Sequence, residues 1–149
     1  MAEQATERTT IAAPPDVVYG TALDIEHYPE WAHDIKEATI VERDEDGRPL
    51  RVRFRAAAMG HSARYVLRYD HSEAPRRMGW ILEQGDIVRK LDGEYVFEPG
   101  ANGGTEVTYK LVAELAVPLP GFIKRRAESK IMTTALEELR HRCEDAAVR

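Results

Sequence analysis

The side chains of this sequence with the greatest potential for chemistry are five histidines, one cysteine and a few serines. The histidines do not follow the HExxH or HxxxH spacing that would place two zinc ligands on one helix face, so no metal site is predicted. No serine stands in the G-x-S-x-G setting of a hydrolase nucleophile. His33 beside Asp34 is the one pair whose charges could act together, and we expect His33 to be exposed to solvent.

The composition is that of a single globular domain, which we place at residues 1–149. Hydrophobic residues make up 43% and charged residues 32% of the chain, and the net charge of −5 argues against a general nucleic-acid-binding protein. No apolar run approaches the roughly 20 residues of a membrane-spanning helix, and the start of the chain lacks a signal-peptide core. A cytoplasmic location without a cofactor is therefore expected. Cys143 is the single cysteine, and its position on an apolar helical stripe predicts that it is a core residue.

Hydrophobic periodicity predicts an α+β fold. Apolar residues alternate with polar ones in a series of segments separated by turn residues, which is typical of antiparallel strands. The predicted strands are 6–12, 39–43, 50–58, 61–70, 77–84, 90–98 and 105–115, with short helices at 16–22 and 24–31. After residue 121 the period becomes helical, and an apolar stripe over about 26 residues predicts one long C-terminal helix. The stripe consists of Phe122, Ile123, Ala127, Ile131, Ala135, Leu136, Leu139 and Cys143.

The alternation places most aromatic side chains on one sheet face and most charges on the other. A slim helix cannot fill a strongly bent sheet everywhere, so an apolar cavity is expected between them. The predicted ligand-binding residues are Trp31, Phe54, Tyr65, Tyr69, Trp80, Tyr95, Tyr109, Ile123, Ala127 and Ile131. The same registers predict a cavity poor in acids and bases, which favours a binding protein over an enzyme. Aromatic side chains that simply fill the core are the alternative interpretation.

Several short motifs resemble the START-like (SRPBCC) superfamily over nearly the whole chain. They are Ala13-Pro14, the segment 24–31 (DIEHYPEW), Gly93 followed by Tyr95, and the segment 104–107 (GTEV). Within the superfamily the chain is similar to the bacterial polyketide cyclase/dehydrase and lipid-transport group, which includes coenzyme-Q-binding proteins. The resemblance implies a helix-grip fold, in which a curved, seven-stranded antiparallel sheet surrounds a long C-terminal helix. Two short helices after the first strand close one end.

The resemblance implies binding or transport of a small hydrophobic molecule such as a lipid, a quinone or a polyketide-like compound. A polyketide cyclase or dehydratase is the first alternative. The related aromatase/cyclases place an arginine and a tyrosine in the cavity where this chain has Tyr69 and Ile35, and this departure disfavours the cyclase. Tyr69 is the one candidate catalytic residue, because its hydroxyl could still donate a hydrogen bond to a carbonyl group, although a neutral phenol stabilises an enolate less well than a guanidinium does. A protein-interaction partner built on the same fold is the second alternative.

A possible membrane contact precedes the long helix. The apolar segment Leu119-Pro120-Gly121-Phe122 is followed by three cations at 124–126, a pattern that can touch an anionic membrane during lipid exchange. A loop that packs on the cavity mouth beside a solvated helix face explains the same pattern. The sequence leaves the oligomeric state open between a monomer and a homodimer.

Overall fold

The computed structural model describes residues 4–58, 60–116 and 121–148, without the side chains of residues 58, 121–124 and 146–148. The described residues form seven strands and three α-helices. In chain order these are β1 Ala5–Ile11, α1 Pro15–Leu23, α2 Tyr28–Trp31, β2 Ile35–Arg43, β3 Pro49–Ala58, β4 His61–Asp70, β5 Arg77–Gly85, β6 Val88–Pro99, β7 Thr105–Leu115 and α3 Gly121–Val148. A 3₁₀ turn, Ile25–His27, leads into α2, and a second, Ala101–Gly103, lies between β6 and β7.

The strands form one antiparallel sheet in the order β1-β7-β6-β5-β4-β3-β2. The sheet curves around α3, and α1 and α2 follow the first strand, so the predicted helix-grip fold is confirmed. Strands β4 and β7 have the predicted bounds. Strand β2 begins earlier than predicted, because irregularities in its pairing with β3 interrupt the strict alternation on which the prediction relied.

Helix α3 packs along one side of the sheet rather than over its centre. Its neighbours are β1, β7, α1 and α2. Its core-facing residues are Met132, Leu136, Leu139 and Cys143, which recur every three to four residues as one helical face requires. The predicted stripe was wrong at one position, because Met132 is fully buried whereas Ile131 is 40% exposed. Adjacent helix residues point about 100° apart, so only one of the two can face the core.

Hydrogen bonds from α3 to the opposite elements fix the helix in place. The Glu144 carboxylate accepts a hydrogen bond from the backbone N–H of Ala12 at 2.9 Å. In the same half of the helix, Arg142 pairs with Glu30 of α2 at 3.2 Å. These contacts attach α3 to the β1–α1 junction and to α2, and they leave the space over the middle of the sheet open.

Two residues of the glycine-rich turn between β6 and β7 lie in the left-handed region of backbone conformation. Asn102 and Gly103 adopt positive φ angles of 57° and 77°, which asparagine and glycine tolerate better than other residues do. Among the described helices, none has the length and apolar character that crossing a membrane requires. Leu119 and Pro120 of the predicted membrane-contact segment lie outside the described residues, as does the side chain of Phe122.

Candidate ligand-binding site

Cross-strand pairing brings the aromatic side chains together on the sheet face that looks toward α3. Phe54 of β3 lies opposite Tyr65 of β4, with ring centroids 5.4 Å apart. Tyr95 of β6 and Tyr109 of β7 are paired in the same way at 4.6 Å. Side chains of directly opposed residues share one face of an antiparallel sheet. The alternation seen in the sequence therefore becomes a continuous aromatic surface.

Trp80 of β5 connects the two halves of this surface. Its ring lies 5.2 Å from that of Tyr95 and 6.0 Å from that of Tyr69. Its partner on the neighbouring strand is Gly93. A Cβ atom at Gly93 would lie 2.8 Å from a carbon of the indole and 2.6 Å from the carbonyl oxygen of Lys110. The glycine is therefore needed for the indole to lie across β6 in its observed position.

A cavity of about 170 Å³ lies between the aromatic surface and α3. Its lining includes these predicted residues: Trp31, Phe54, Tyr65, Tyr69, Trp80, Tyr95, Tyr109 and Ile131. Ala127 is not among the lining residues, and the side chain of Ile123 lies outside the described part of the chain. The exposed side chain of Ile131 marks where the cavity meets solvent. The aromatic face is thus not packed solid against the helix.

The cavity lining also includes polar residues that the sequence interpretation missed. They are Tyr28, Asp34, Thr134 and Glu138. The expectation of a cavity poor in acids and bases is met by the strand residues, but two acidic residues from outside the strands also line the cavity. It considered the predicted strands alone, whereas Asp34 precedes β2 and Glu138 belongs to α3. The helical spacing of Ile131, Thr134 and Glu138 was the available signal, since residues three, four and seven apart share a helix face.

The tyrosine hydroxyls of the cavity are neutral hydrogen-bonding groups. Burial raises the pKa of Tyr28, Tyr65, Tyr69, Tyr95 and Tyr109 above the ordinary value of 10.0, because a phenolate loses its hydration in an apolar site. Tyr28 donates a hydrogen bond to the carbonyl oxygen of Ala22. Within the described residues, the fully buried side-chain polar atoms without a partner are Tyr19 Oη and His71 Nδ1, and neither residue lines the cavity. The other four tyrosines do line the cavity, where a neutral hydroxyl can donate to, or accept from, a bound molecule.

This burial predicts how the protein responds to alkali. All six tyrosines, Tyr19 included, have a raised pKa in the folded state. Their contribution to the free energy of unfolding is complete below the ordinary value of 10.0 and is lost as the pH rises through the raised values. We therefore expect the thermal midpoint to fall above about pH 10 and tyrosinate absorbance to appear together with unfolding. Full tyrosinate absorbance near pH 10 in a protein that keeps its circular dichroism would contradict this prediction, and the guanidinium-unfolded chain supplies the reference titration.

One of the two carboxylates is already engaged at the cavity mouth. Glu138, whose side chain is 14% exposed, lies 2.5 Å from Nδ1 of His33 and also accepts a hydrogen bond from the backbone N–H of His33. The His33 side chain is 84% exposed, as predicted. The Asp34 carboxylate has no ion pair and no hydrogen bond within the described residues. No group of three or more possible metal ligands is found in the described part of the chain.

The sequence and the fold both relate this chain to known proteins. The family model described as polyketide cyclase/dehydrase and lipid transport matches residues 2–144. No curated protein matches the chain. Among solved structures, a START superfamily protein from Mycobacterium smegmatis is 24% identical, with 96% of this chain and 98% of that one covered and a TM-score of 0.89. A protein from Thermus thermophilus is 27% identical, with 97% and 99% covered and a TM-score of 0.80.

An aromatase/cyclase from Streptomyces sp. R1128 has the same fold at 19% identity, with 100% of this chain and 97% of that one covered and a TM-score of 0.78. At this identity the likeness concerns the fold and not the reaction. The match of the family model over nearly the whole chain is the stronger finding. The chain therefore belongs to the polyketide cyclase/dehydrase and lipid transport family.

Proposed function

We propose that the protein binds a small hydrophobic molecule in the cavity and releases it chemically unchanged. The observation that carries this proposal is the cavity of about 170 Å³, whose lining is largely aromatic and includes five tyrosines. Apolar walls with a few polar groups are the usual form of a small-ligand site. The aromatic rings supply contact area, and the hydroxyls orient a carbonyl or hydroxyl group of the ligand.

The size of the cavity supports a compact ligand. A dry cavity of about 150 Å³ accommodates benzene, and the cavity here is about 170 Å³. It therefore has room for roughly one aromatic ring without rearrangement. A quinone or a polyketide-like molecule would fit if its ring lies inside and the rest of the molecule leaves the cavity beside Ile131. A lipid chain held wholly inside would require the wall side chains to move.

Cyclisation or dehydration of a polyketide-like substrate is the second candidate function. The tyrosine hydroxyls favour it, because Tyr69 and its neighbours could orient successive carbonyl groups of a chain. The lack of cationic side chains in the described part of the cavity lining argues against this reaction. No arginine, lysine or histidine lines the cavity within the described residues, and a neutral phenol stabilises an enolate less well than a cation does. Binding without turnover is therefore the better-supported function.

Native purification followed by solvent extraction and mass spectrometry tests the proposal. We expect one small hydrophobic molecule per chain. The Ala135→Leu variant should lose that molecule, because Ala135 lines the cavity and the larger side chain fills part of it. Thr133→Leu is the matched control, since Thr133 is exposed on the same helix, and it should retain the molecule.

The contrary outcomes separate the alternatives. An extract without a molecule, together with turnover of a poly-β-keto substrate, would favour the cyclase. Stable co-purification with one protein, and no molecule in either preparation, would favour a protein-interaction role. Equal retention in the Ala135→Leu and Thr133→Leu variants would mean that the molecule does not occupy this cavity.

A further inference from the structure

The charged groups of the cavity lining all have one sign. The lining includes two acidic residues, Asp34 and Glu138, and within the described residues it includes no arginine, lysine or histidine. A carboxylate in a partly enclosed site favours a positive ligand and disfavours a negative one, because the low local dielectric strengthens both effects. A free fatty acid would therefore meet repulsion without any compensating cation.

The two acidic residues differ in their interaction partners within the protein. Glu138 is engaged by His33, through both the ring and the backbone N–H. Asp34 has no such partner among the described residues, although its backbone carbonyl accepts a hydrogen bond from Ala57 at 2.8 Å. Burial raises the pKa of Tyr65, and the negative charge of Asp34 raises it further. The Asp34 carboxylate is thus the charge at this mouth that is free to pair with a ligand.

The cavity walls are suited to the same kind of ligand. Indole and phenol faces attract a cation that lies within about 6 Å of the ring centroid. The rings of Trp80, Tyr95 and Tyr109 lie 4.6 to 5.9 Å from one another. Tyr69, which is 5% exposed, belongs to the same wall, with its ring centroid 6.0 Å from that of Trp80. Within the described residues, the walls therefore offer aromatic faces and no cationic side chain to a bound molecule.

We propose that the ligand is a compact hydrophobic amine, with its ammonium group on the Asp34 carboxylate at the cavity mouth and its ring among the aromatic walls. This inference rests on the proposed function, since it names the chemical class that the same cavity takes. It differs from the lipid, quinone and polyketide expectations, in which the ligand is neutral or acidic.

Three probes of similar size and different charge test the inference: phenethylamine, phenethyl alcohol and hydrocinnamate. Both tryptophans of the chain, Trp31 and Trp80, line the cavity, so intrinsic fluorescence reports its occupancy. We expect phenethylamine to bind about tenfold more tightly than phenethyl alcohol at neutral pH and low salt. Hydrocinnamate should bind most weakly. The preference should decrease with added salt, because the carboxylate is partly exposed.

The Asp34→Asn variant separates the charge from the shape of the cavity. Asparagine keeps the backbone hydrogen bond to Ala57, so the fold should be retained. We expect the preference for the amine over the alcohol to disappear while the affinity for the alcohol stays the same. Asp145→Asn is the matched control, because it removes the same charge from an exposed position of α3, and it should keep the preference.

Each result decides between the two proposals. Equal binding of amine and alcohol, tighter binding of hydrocinnamate, or an unchanged preference in Asp34→Asn would overturn the amine inference and leave the binding function in place. If none of the three probes changes the fluorescence while a molecule is recovered by native extraction, the amine inference also fails and the binding function stands. No response together with an empty native extract would overturn both.

Discussion

The Met132→Ala variant is expected to lose about 2–5 kcal/mol of its free energy of unfolding. Met132 is fully buried and belongs to the face by which α3 packs on the core. Alanine removes most of the buried side chain and leaves a void, since the surrounding side chains are held by the sheet and by α1. Urea denaturation followed by circular dichroism measures the loss, and ligand affinity should change less than stability does.

Ile131→Ala is the control for this prediction. Ile131 is the preceding residue, and it lies exposed at the cavity mouth. Its truncation should cost less than about 1 kcal/mol of stability, because little buried surface is lost. It should instead weaken binding of a cavity ligand. Equal stability losses in the two variants, or a larger loss for Ile131→Ala, would contradict the assignment of the two helix faces.

The Gly93→Ala variant is expected to lose about 1–3 kcal/mol of stability and to displace the Trp80 indole. The added Cβ would lie 2.6 Å from the backbone carbonyl oxygen of Lys110, where little movement is available, and 2.8 Å from the Trp80 ring. Because Trp80 lines the cavity, displacement of its indole changes the cavity wall. We therefore expect a changed tryptophan emission spectrum and weaker ligand binding in addition to a lower denaturation midpoint.

Gly20→Ala is the matched control for the added methyl group. Gly20 lies within α1, and a Cβ built there has no neighbour within 4 Å. Alanine in a helix interior is more stable than glycine by roughly 0.5–1 kcal/mol, so this variant should be slightly stabilised with an unchanged emission spectrum. A Gly93→Ala protein with wild-type stability and emission would show that the indole does not need this space.

Much of the fold follows from local pattern. Strict alternation in β4 and β7 defined both strands to the residue, and the change from a period of two to a helical period located α3. Alternation also determined which aromatic side chains share a face, because successive side chains of a strand point to opposite sides of the sheet. Tyr65, Tyr69 and Tyr109 were assigned to the cavity face on this ground and do line the cavity.

Other features depend on distances between elements, which no local pattern contains. An aromatic face has the same sequence pattern whether it packs solid or borders a cavity. The space exists because α3 lies along β1 and β7 and is attached to α2, away from the middle of the sheet. The same placement turned Met132 to the core and Ile131 to the mouth. It also brought Glu138 to the loop that carries Asp34, so the charge of the cavity was decided by tertiary structure alone.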